Sequence, residues 1–339
     1  MPTHRQVAVA AEIGMLAGDP AVAAASARAL TLLADLLRSD AASLVGVDPV
    51  KRDHRQITQI EYSPDVAHCL AVEFPRTPWF GIMQNESLPP SISTEPGQTF
   101  RKGYFYEQHL RPAGFHDGMT GALRRNSRYI GMVHLSSTRH DTYDKEARRL
   151  LASVLPAFAV MADALGRIAG QPEVPETGSA ALVSAKQIVE LPEREVPAVL
   201  ADPTFGHLVE EFDRTGGHRL RFLWPAGRDW NRVTVHRAVD ADGAVLVHAA
   251  PAKIPYGLSS RELDVLTRMA MGLSNRAIAE GLFLSPRTVH SHVARILQKT
   301  GTAGRSEVAA LAIRENLVRP VPGLPRYRGV GFFVDRFAG

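Results

Sequence analysis

A Leu-Ser pair occurs three times within about thirty residues of the C-terminal part, and this repeat most strongly limits the fold. The pairs are Leu258-Ser259, Leu273-Ser274 and Leu284-Ser285. A serine at the N-cap of a helix accepts a hydrogen bond from the first turn, and the leucine before it packs on an aliphatic residue at position N4. Leu263, Ile278 and Val289 stand at those positions. The pattern predicts three short helices with almost no loop between them, and it favours a helix-turn-helix.

The third predicted helix, about Pro286 to Thr300, has two different faces. An apolar stripe contains Val289, Val293, Ile296 and Leu297. The opposite side is polar or small and contains Arg287, Thr288, Ser291, Ala294, Arg295 and Gln298, with His290 on its edge. A helix that buries one stripe and presents such groups on the other suits the major groove of DNA. Arg276 and the first amides of the preceding helix suit a phosphate.

The net positive charge of the chain lies in this same segment. Residues 253–320 contain ten Lys and Arg against five Asp and Glu, whereas the rest of the chain has 29 against 30. A basic module beside a neutral body is typical of proteins that bind polyanions.

The motif residues resemble the LuxR-type C-terminal DNA-binding domain. The resemblance rests on Leu258 to Glu262, Gly272 to Asn275, Leu282 to Ser285, Thr288-Val289 with His292, Ile296, Lys299 and Gly301. It implies a four-helix module over 253–319, with the helix-turn-helix between Ser274 and Val293. A fourth helix, Arg305 to about Leu317, would pair two copies through Val308, Leu311 and Ala312. The chain departs from the family at two positions, where His290 replaces a usual Lys and Thr300 a usual Leu.

Pattern and resemblance together define the candidate DNA-binding residues. They are Ser274, Asn275, Arg276, Arg287, Thr288, His290, Ser291, His292, Arg295 and Lys299. Lys299 has an alternative role, because a cation at the end of a helix is also stabilised by the helix dipole. We expect Glu262 to act as a helix cap.

The remaining chain predicts a multidomain protein. Residues 1–170 alternate helix, strands, loop, strands and a long helix with a kink at Pro156, which describes an α+β domain. The last two strands form an antiparallel pair joined by a polar turn at Arg124-Arg125-Asn126-Ser127. This order, with Gly131 to Leu135 and the closing helix, resembles a GAF domain, which implies a sensory fold that can hold a small ligand. Residues 171–252 read as a linker and a small β-rich region with a faint resemblance to PAS domains. No role follows for the tail, 320–339.

Several classes of protein lack support in the sequence. Cys69 is the single cysteine, and the spacings of His109, His116, His134 and His140 match no metal motif, so we expect no metal site. Neither a phosphate-binding loop nor a nucleophile with its base is recognisable, so we expect no enzyme and no identified cofactor. No run is long enough for a membrane span, and no signal peptide is recognisable, so we expect a cytoplasmic protein.

The sequence therefore predicts a regulator that binds double-stranded DNA as a homodimer and responds through its N-terminal domain to a small-molecule effector of unknown identity or to a partner. Two alternatives remain open. The C-terminal module could instead bind RNA polymerase, as sigma-factor region 4 does with a related helix-turn-helix. The N-terminal domain could be a dimerisation scaffold without a ligand.

Overall fold

The computed structural model describes residues 3–95, 97, 99–171, 174–175, 177–185, 187–239, 241, 243–323 and 330–334. The chain divides once, after Arg167, into two compact units. Sequence reasoning places boundaries after residues 170, 252 and 319. Parts of the expected linker near 171–178, the turn 240–243 and the tail lie outside the described residues.

The first unit is an α+β domain around a four-stranded antiparallel sheet with strand order β2-β1-β4-β3. The strands are β1 (Ala41–Val47), β2 (His54–Ile60), β3 (Asp117–Arg125) and β4 (Arg128–Ser137). The helices are α1 (His4–Leu16), α2 (Val22–Leu37), α3 (Pro64–Val72), α4 (Pro78–Asn85) and α5 (Lys145–Ala162), and α6 (Ala164–Ala169) contains the division. A single π-type turn, Tyr106–Leu110, precedes β3.

Both faces of this sheet are covered. In β1, Leu44 belongs to the core that includes α2 and α5, whereas the next residue, Val45, belongs to the core that includes α3. Successive side chains of a strand point to opposite faces, so this alternation places one helical layer on each side. The predicted hairpin turn between β3 and β4 is confirmed, because Asn126 and Ser127 both have positive φ, as a tight primed turn requires.

The second unit combines a five-stranded antiparallel sheet, of order β6-β5-β9-β8-β7, with helices. Its strands are β5 (Ser179–Val183), β6 (Ile188–Glu190), β7 (Arg219–Ala226), β8 (Asp229–Arg237) and β9 (Val245–Ala252). Its helices are α7 (Pro203–Thr215), α8 (Ser260–Ala270), α9 (Asn275–Leu282), α10 (Pro286–Thr300), α11 (Arg305–Arg314) and α12 (Val330–Val334).

A single hydrophobic core runs through this unit, from the sheet and α7 to α8–α12. The amide of Leu223 in β7 donates to the carbonyl of Val318 at 2.9 Å, just beyond the last helix of the predicted DNA module. Arg232 in β8 donates to the carbonyl of Glu315 at 3.2 Å. The segments that sequence reasoning separates at 252/253 therefore share one interior.

The predicted dimer face of the fourth helix is wrong. Val308 and Ala312 are fully buried in the unit's own core, and Leu311 is only 6% exposed. The apolar stripe of α11 is used to cover α8 of the same chain, so it has no free surface for a second copy. The exposed positions of α11 are Ser306, Glu307, Ala310 and Arg314. Among the described residues, no helix is both long and apolar enough to cross a membrane.

Candidate nucleic-acid interface

The three predicted N-caps are confirmed. The hydroxyl of Ser259 accepts from the amide of Glu262 at 3.2 Å, and the Glu262 carboxylate accepts from the amide of Ser259 at 2.8 Å, which completes a capping box. Ser274 caps α9 through the amide of Ala277 at 3.2 Å. Ser285 caps α10 in the same way. Each helix therefore starts where a local hydrogen bond satisfies its first turn.

The corner between α9 and α10 is as tight as the sequence predicts. Phe283 adopts a left-handed backbone with φ of 55°, and the amide of Leu284 donates to the carbonyl of Ala279 at 2.9 Å. Arg261 of α8 holds the corner by donating to the carbonyl of Leu282 at 2.6 Å. Because the corner is held by the helix behind it, α10 projects from the unit in a defined direction.

The two faces of α10 are as predicted. Val289 and Ile296 are fully buried, and Val293 and Leu297 pack against the same core. The exposed side consists of Arg287, Thr288, His290, Ser291, Ala294, Arg295 and Gln298. These side chains lie along more than two turns of one helix, which is the length that contacts successive base pairs in a major groove.

Two arginines on this face are free to meet an anion. The guanidinium groups of Arg287 and Arg295 have neither an ion-pair partner nor a hydrogen-bond partner among the residues that the structure describes. Arg276 is also exposed, but it pairs with Glu280 one turn later at 3.2 Å. An unpaired guanidinium can contact a phosphate or a guanine without first losing an internal partner.

The hydroxyls on this face are engaged locally but remain at the surface. The Thr288 hydroxyl lies 2.8 Å from that of Ser285, and the Ser291 hydroxyl donates to the carbonyl of Arg287 at 3.2 Å. Hydroxyl groups rotate freely, so these side chains can redirect a hydrogen bond to a phosphate or a base edge.

Lys299 has a structural partner. Its ammonium donates to the carbonyl of Gly257 and to the carboxylate of Glu262, both at 2.8 Å, and the Glu262 side chain is only 4% exposed. Burial raises the pKa of Glu262, but the hydrogen bonds from Lys299 and Ser259 outweigh burial, so the pKa lies below its ordinary value. Lys299 therefore ties the end of α10 to the start of α8, although it was among the candidate DNA contacts.

Asn275 and His292 are half-buried. Arg305 donates to the Asn275 side-chain oxygen at 3.0 Å and also to the carbonyl of Leu273, so it fixes the start of α9. Burial lowers the pKa of Arg305. Sequence reasoning missed Arg305, because its partners lie about 30 residues away and no local pattern announces such a contact. Nδ1 of His292 is buried without a hydrogen bond in the described part of the chain.

The first unit contains a separate pocket of about 50 Å³, between the sheet, α3 and the segments that follow α3. Its lining is mostly aromatic and aliphatic, and it includes Leu70, Phe74, Trp79, Phe100, Phe105, Leu110, Met119 and Leu135. Polar groups come from Ser91, Glu95, Thr120 and His134. The Thr120 hydroxyl lies 2.9 Å from Nδ1 of His134, and burial lowers the pKa of His134 to about 3, so this imidazole is neutral. Few, fixed polar groups in an apolar lining are typical of small-molecule sites.

Comparison with known proteins identifies the C-terminal helices. Residues 257–312 match the family model described as bacterial regulatory proteins, luxR family. The uncharacterized transcriptional regulatory protein YxjL of Bacillus subtilis is 46% identical over 72 residues, which are 21% of this chain and 32% of YxjL. The transcriptional regulatory protein LiaR of Bacillus subtilis is 36% identical over 74 residues, which are 22% of this chain and 35% of LiaR. The match thus spans about a third of each relative's length.

Solved structures show only distant likenesses. The GAF domain of an Acinetobacter phosphoenolpyruvate-protein phosphotransferase aligns with 49% of this chain and 97% of its own length, at 11% identity and a TM-score of 0.37. SdiA in complex with octanoyl-rac-glycerol aligns with 94% of this chain and 99% of its own length, at 15% identity and a TM-score of 0.37.

Proposed function

Because residues 257–312 form a LuxR-type helix-turn-helix domain, we propose that the protein is a transcriptional regulator that binds specific DNA sequences through the exposed face of α10. The observation that carries the proposal is the pair of unpartnered arginines, Arg287 and Arg295, on a helix whose other stripe is buried. Arginine at such positions is the commonest reader of guanine in the major groove.

We assign different tasks to the candidate residues. Arg287, His290, Ser291 and Arg295 contact base edges and nearby phosphates, with Thr288 beside them. Ser274, Arg276 and the amides that begin α9 contact a phosphate and set the register of the protein on DNA. Asn275, His292 and Lys299 position the reading helix.

We further propose that the protein acts in the cytoplasm as a homodimer on two half-sites, since helix-turn-helix regulators commonly match their own two-fold symmetry to that of the operator. Because cations on α10 would displace counterions from DNA, binding should weaken steeply as salt rises.

The pocket in the first unit supports an effector-responsive regulator over a scaffold without ligand. We propose a small, mostly apolar molecule that carries a hydrogen-bonding group for Thr120, Glu95 or neutral His134. Native mass spectrometry of the full chain after expression should detect a bound small molecule. The variant Ile92→Trp, which fills the pocket, should lose that mass, whereas Ile188→Trp, 48% exposed in the second unit, should keep it. A chain without bound mass that still dimerises would favour the scaffold.

The DNA proposal is tested by affinity for a duplex that the full chain selects from a random pool. Arg295→Ala should weaken binding to the selected duplex and reduce discrimination against a scrambled one, while Arg228→Ala, an exposed arginine in the β7–β8 turn, should leave both unchanged. Equal affinity of wild type and Arg295→Ala would refute the assignment of the exposed face of α10 as the DNA-contacting surface. Binding to core RNA polymerase without binding to DNA alone would favour the sigma-like alternative.

A further inference from the structure

Three potential metal ligands converge in the first unit, outside the apolar pocket and from two separate stretches of the chain. Cys69 and Glu73 stand one turn apart on and just after α3, and His109 comes from the π-type turn Tyr106–Leu110. The Cys69 sulfur lies 3.3 Å from Nδ1 of His109 and 3.6 Å from Oε1 of Glu73. Nε2 of His109 lies 3.0 Å from Oε2 of Glu73. One ligand atom from each residue lies within 4.8 Å of the others.

Hydrogen bonds within the cluster do not satisfy all of its polar atoms. Nε2 of His109 is buried and close to the Glu73 carboxylate, but the two are not aligned as donor and acceptor. The Cys69 thiol donates a hydrogen bond to the other oxygen of the same carboxylate at 3.6 Å. A buried imidazole nitrogen that faces a carboxylate without a proper hydrogen bond is unusual, because buried polar groups are nearly always paired.

One nitrogen of His109, the Cys69 sulfur and one Glu73 oxygen lie within 4.8 Å of one another. In a tetrahedral centre, bonds of about 2.3 Å to sulfur and about 2.0–2.2 Å to nitrogen and oxygen put neighbouring donor atoms roughly 3.3–3.6 Å apart. In the structure Nδ1 of His109 faces the sulfur at 3.3 Å, whereas Nε2 faces the carboxylate at 3.0 Å. To bind an ion, the imidazole or the Glu73 side chain must therefore rotate until one nitrogen faces both other donors.

We propose that Cys69, Glu73 and His109 bind a divalent first-row transition metal of the zinc class. A thiolate, an imidazole and a carboxylate are the donors that such ions prefer, whereas Ca²⁺ and Mg²⁺ take oxygen ligands almost exclusively. Three protein ligands leave a fourth coordination position. A surface cleft that Glu73 lines together with Arg76, Trp79 and Tyr104 gives water or a small ligand access to it. On binding, the thiol releases its proton to solvent.

The site would connect α3 to the turn in front of β3. Leu70 follows Cys69 and Leu110 follows His109, and both leucines line the apolar pocket. A bound metal would hold these two walls at a fixed separation. Metal occupancy would therefore change how the pocket accepts its occupant, which goes beyond the proposed DNA-binding function.

Cobalt(II) is the probe, because a thiolate ligand gives it a charge-transfer absorption in the near ultraviolet. The tag-free full chain, stripped with a chelator, should bind one equivalent of Co²⁺ with this absorption, and Zn²⁺ should displace it. Cys69→Ser should abolish the absorption. His109→Gln and Glu73→Gln should each weaken affinity at least as much as the roughly 10–100-fold cost of losing an outer-shell partner. The matched control is His4→Gln, exposed at the start of α1 in the same unit, which should behave as wild type.

Retained DNA binding and unchanged far-ultraviolet circular dichroism verify that each variant is folded. Glu73 is 41% exposed, so Glu73→Gln keeps the test valid if Cys69→Ser unfolds. The metal should also raise the Tm of wild type but not of Glu73→Gln, because an ion that binds only the folded state stabilises it. Absence of stoichiometric Co²⁺ binding, or an absorption that persists without the sulfur, would overturn the proposal.

Discussion

Lys299 and Arg295 stand one turn apart on α10, and the structure assigns opposite consequences to their loss. Lys299 is 37% exposed and contacts a buried carboxylate, whereas Arg295 is exposed and unpartnered among the described residues. Both were candidate DNA contacts, and Lys299 alone had an alternative role at the end of the helix. Alanine variants of each residue in the full chain distinguish a side chain that stabilises the fold, Lys299, from a side chain that contacts DNA, Arg295.

The cost of Lys299→Ala follows from its surroundings. Exposed ion pairs contribute about 0.2–1 kcal/mol, and breaking a fully buried pair costs about 3–5 kcal/mol. One partner here is buried and the other a third exposed, and Glu262 keeps its bond to the Ser259 amide. We therefore expect a loss of about 1–2 kcal/mol, or roughly 2–8 °C in Tm for a unit of this size. DNA affinity at a temperature where the variant is folded should fall far less than in Arg295→Ala, because Lys299 positions α10 without contacting DNA.

Arg295→Ala should give the reverse result. An exposed substitution without internal partners changes stability by less than about 0.5 kcal/mol. Loss of a base contact should cost about 1–3 kcal/mol, or roughly 5–150-fold in affinity, and loss of a phosphate contact should reduce the salt slope by about one. Calorimetry and fluorescence anisotropy at several salt concentrations measure the two quantities. The reasoning is refuted if Lys299→Ala weakens DNA binding as much as Arg295→Ala while its Tm stays at the wild-type value.

Three further outcomes are expected. Folding lowers the pKa of the Glu262 carboxylate, so its charged form contributes to the stability of the folded chain. This contribution is complete above the unfolded pKa of about 4.3 and is lost as pH falls through the folded pKa. The difference in Tm between wild type and Glu262→Gln should therefore disappear in acid. Gly131→Ala should lower the free energy of unfolding in a denaturant titration by about 2–4 kcal/mol, because its Cβ would lie 2.1 Å from the Val45 carbonyl oxygen and its φ is 155°. The control Gly206→Ala, in open space on α7, should leave that free energy unchanged or raise it. Equal stabilities of the two variants would contradict this expectation. Leu311→Ala should cost about 2–5 kcal/mol and leave the oligomeric state in sedimentation unchanged; dissociation without destabilisation would restore the predicted dimer face.

Structural features that depend on residues close together in the sequence could be predicted from the sequence. The three capped helices, the two faces of α10 and the turn at Asn126-Ser127 depend on contacts within a few positions of the chain. Side-chain periodicity and capping chemistry are local, so they appear directly in the order of residues.

Structural features that depend on residues far apart in the sequence could not be predicted from it. Whether Lys299 faces DNA or Glu262 depends on a partner 37 positions away, and the same holds for Arg305 with Asn275. An amphipathic stripe such as that of α11 indicates that a surface will be covered without indicating by what. Only the folded chain shows that its own α8 covers that stripe.

The sequence by itself determined where this protein has a helix-turn-helix, because caps and periodicity are properties of short segments. Tertiary packing determines which basic side chains of α10 lack an ion-pair partner among the described residues. It also joins the middle sheet and that module through one hydrophobic core, and it brings Cys69, Glu73 and His109 close together. Those outcomes depend on the packing of elements far apart along the chain, and burial and pairing exist only once the elements have packed.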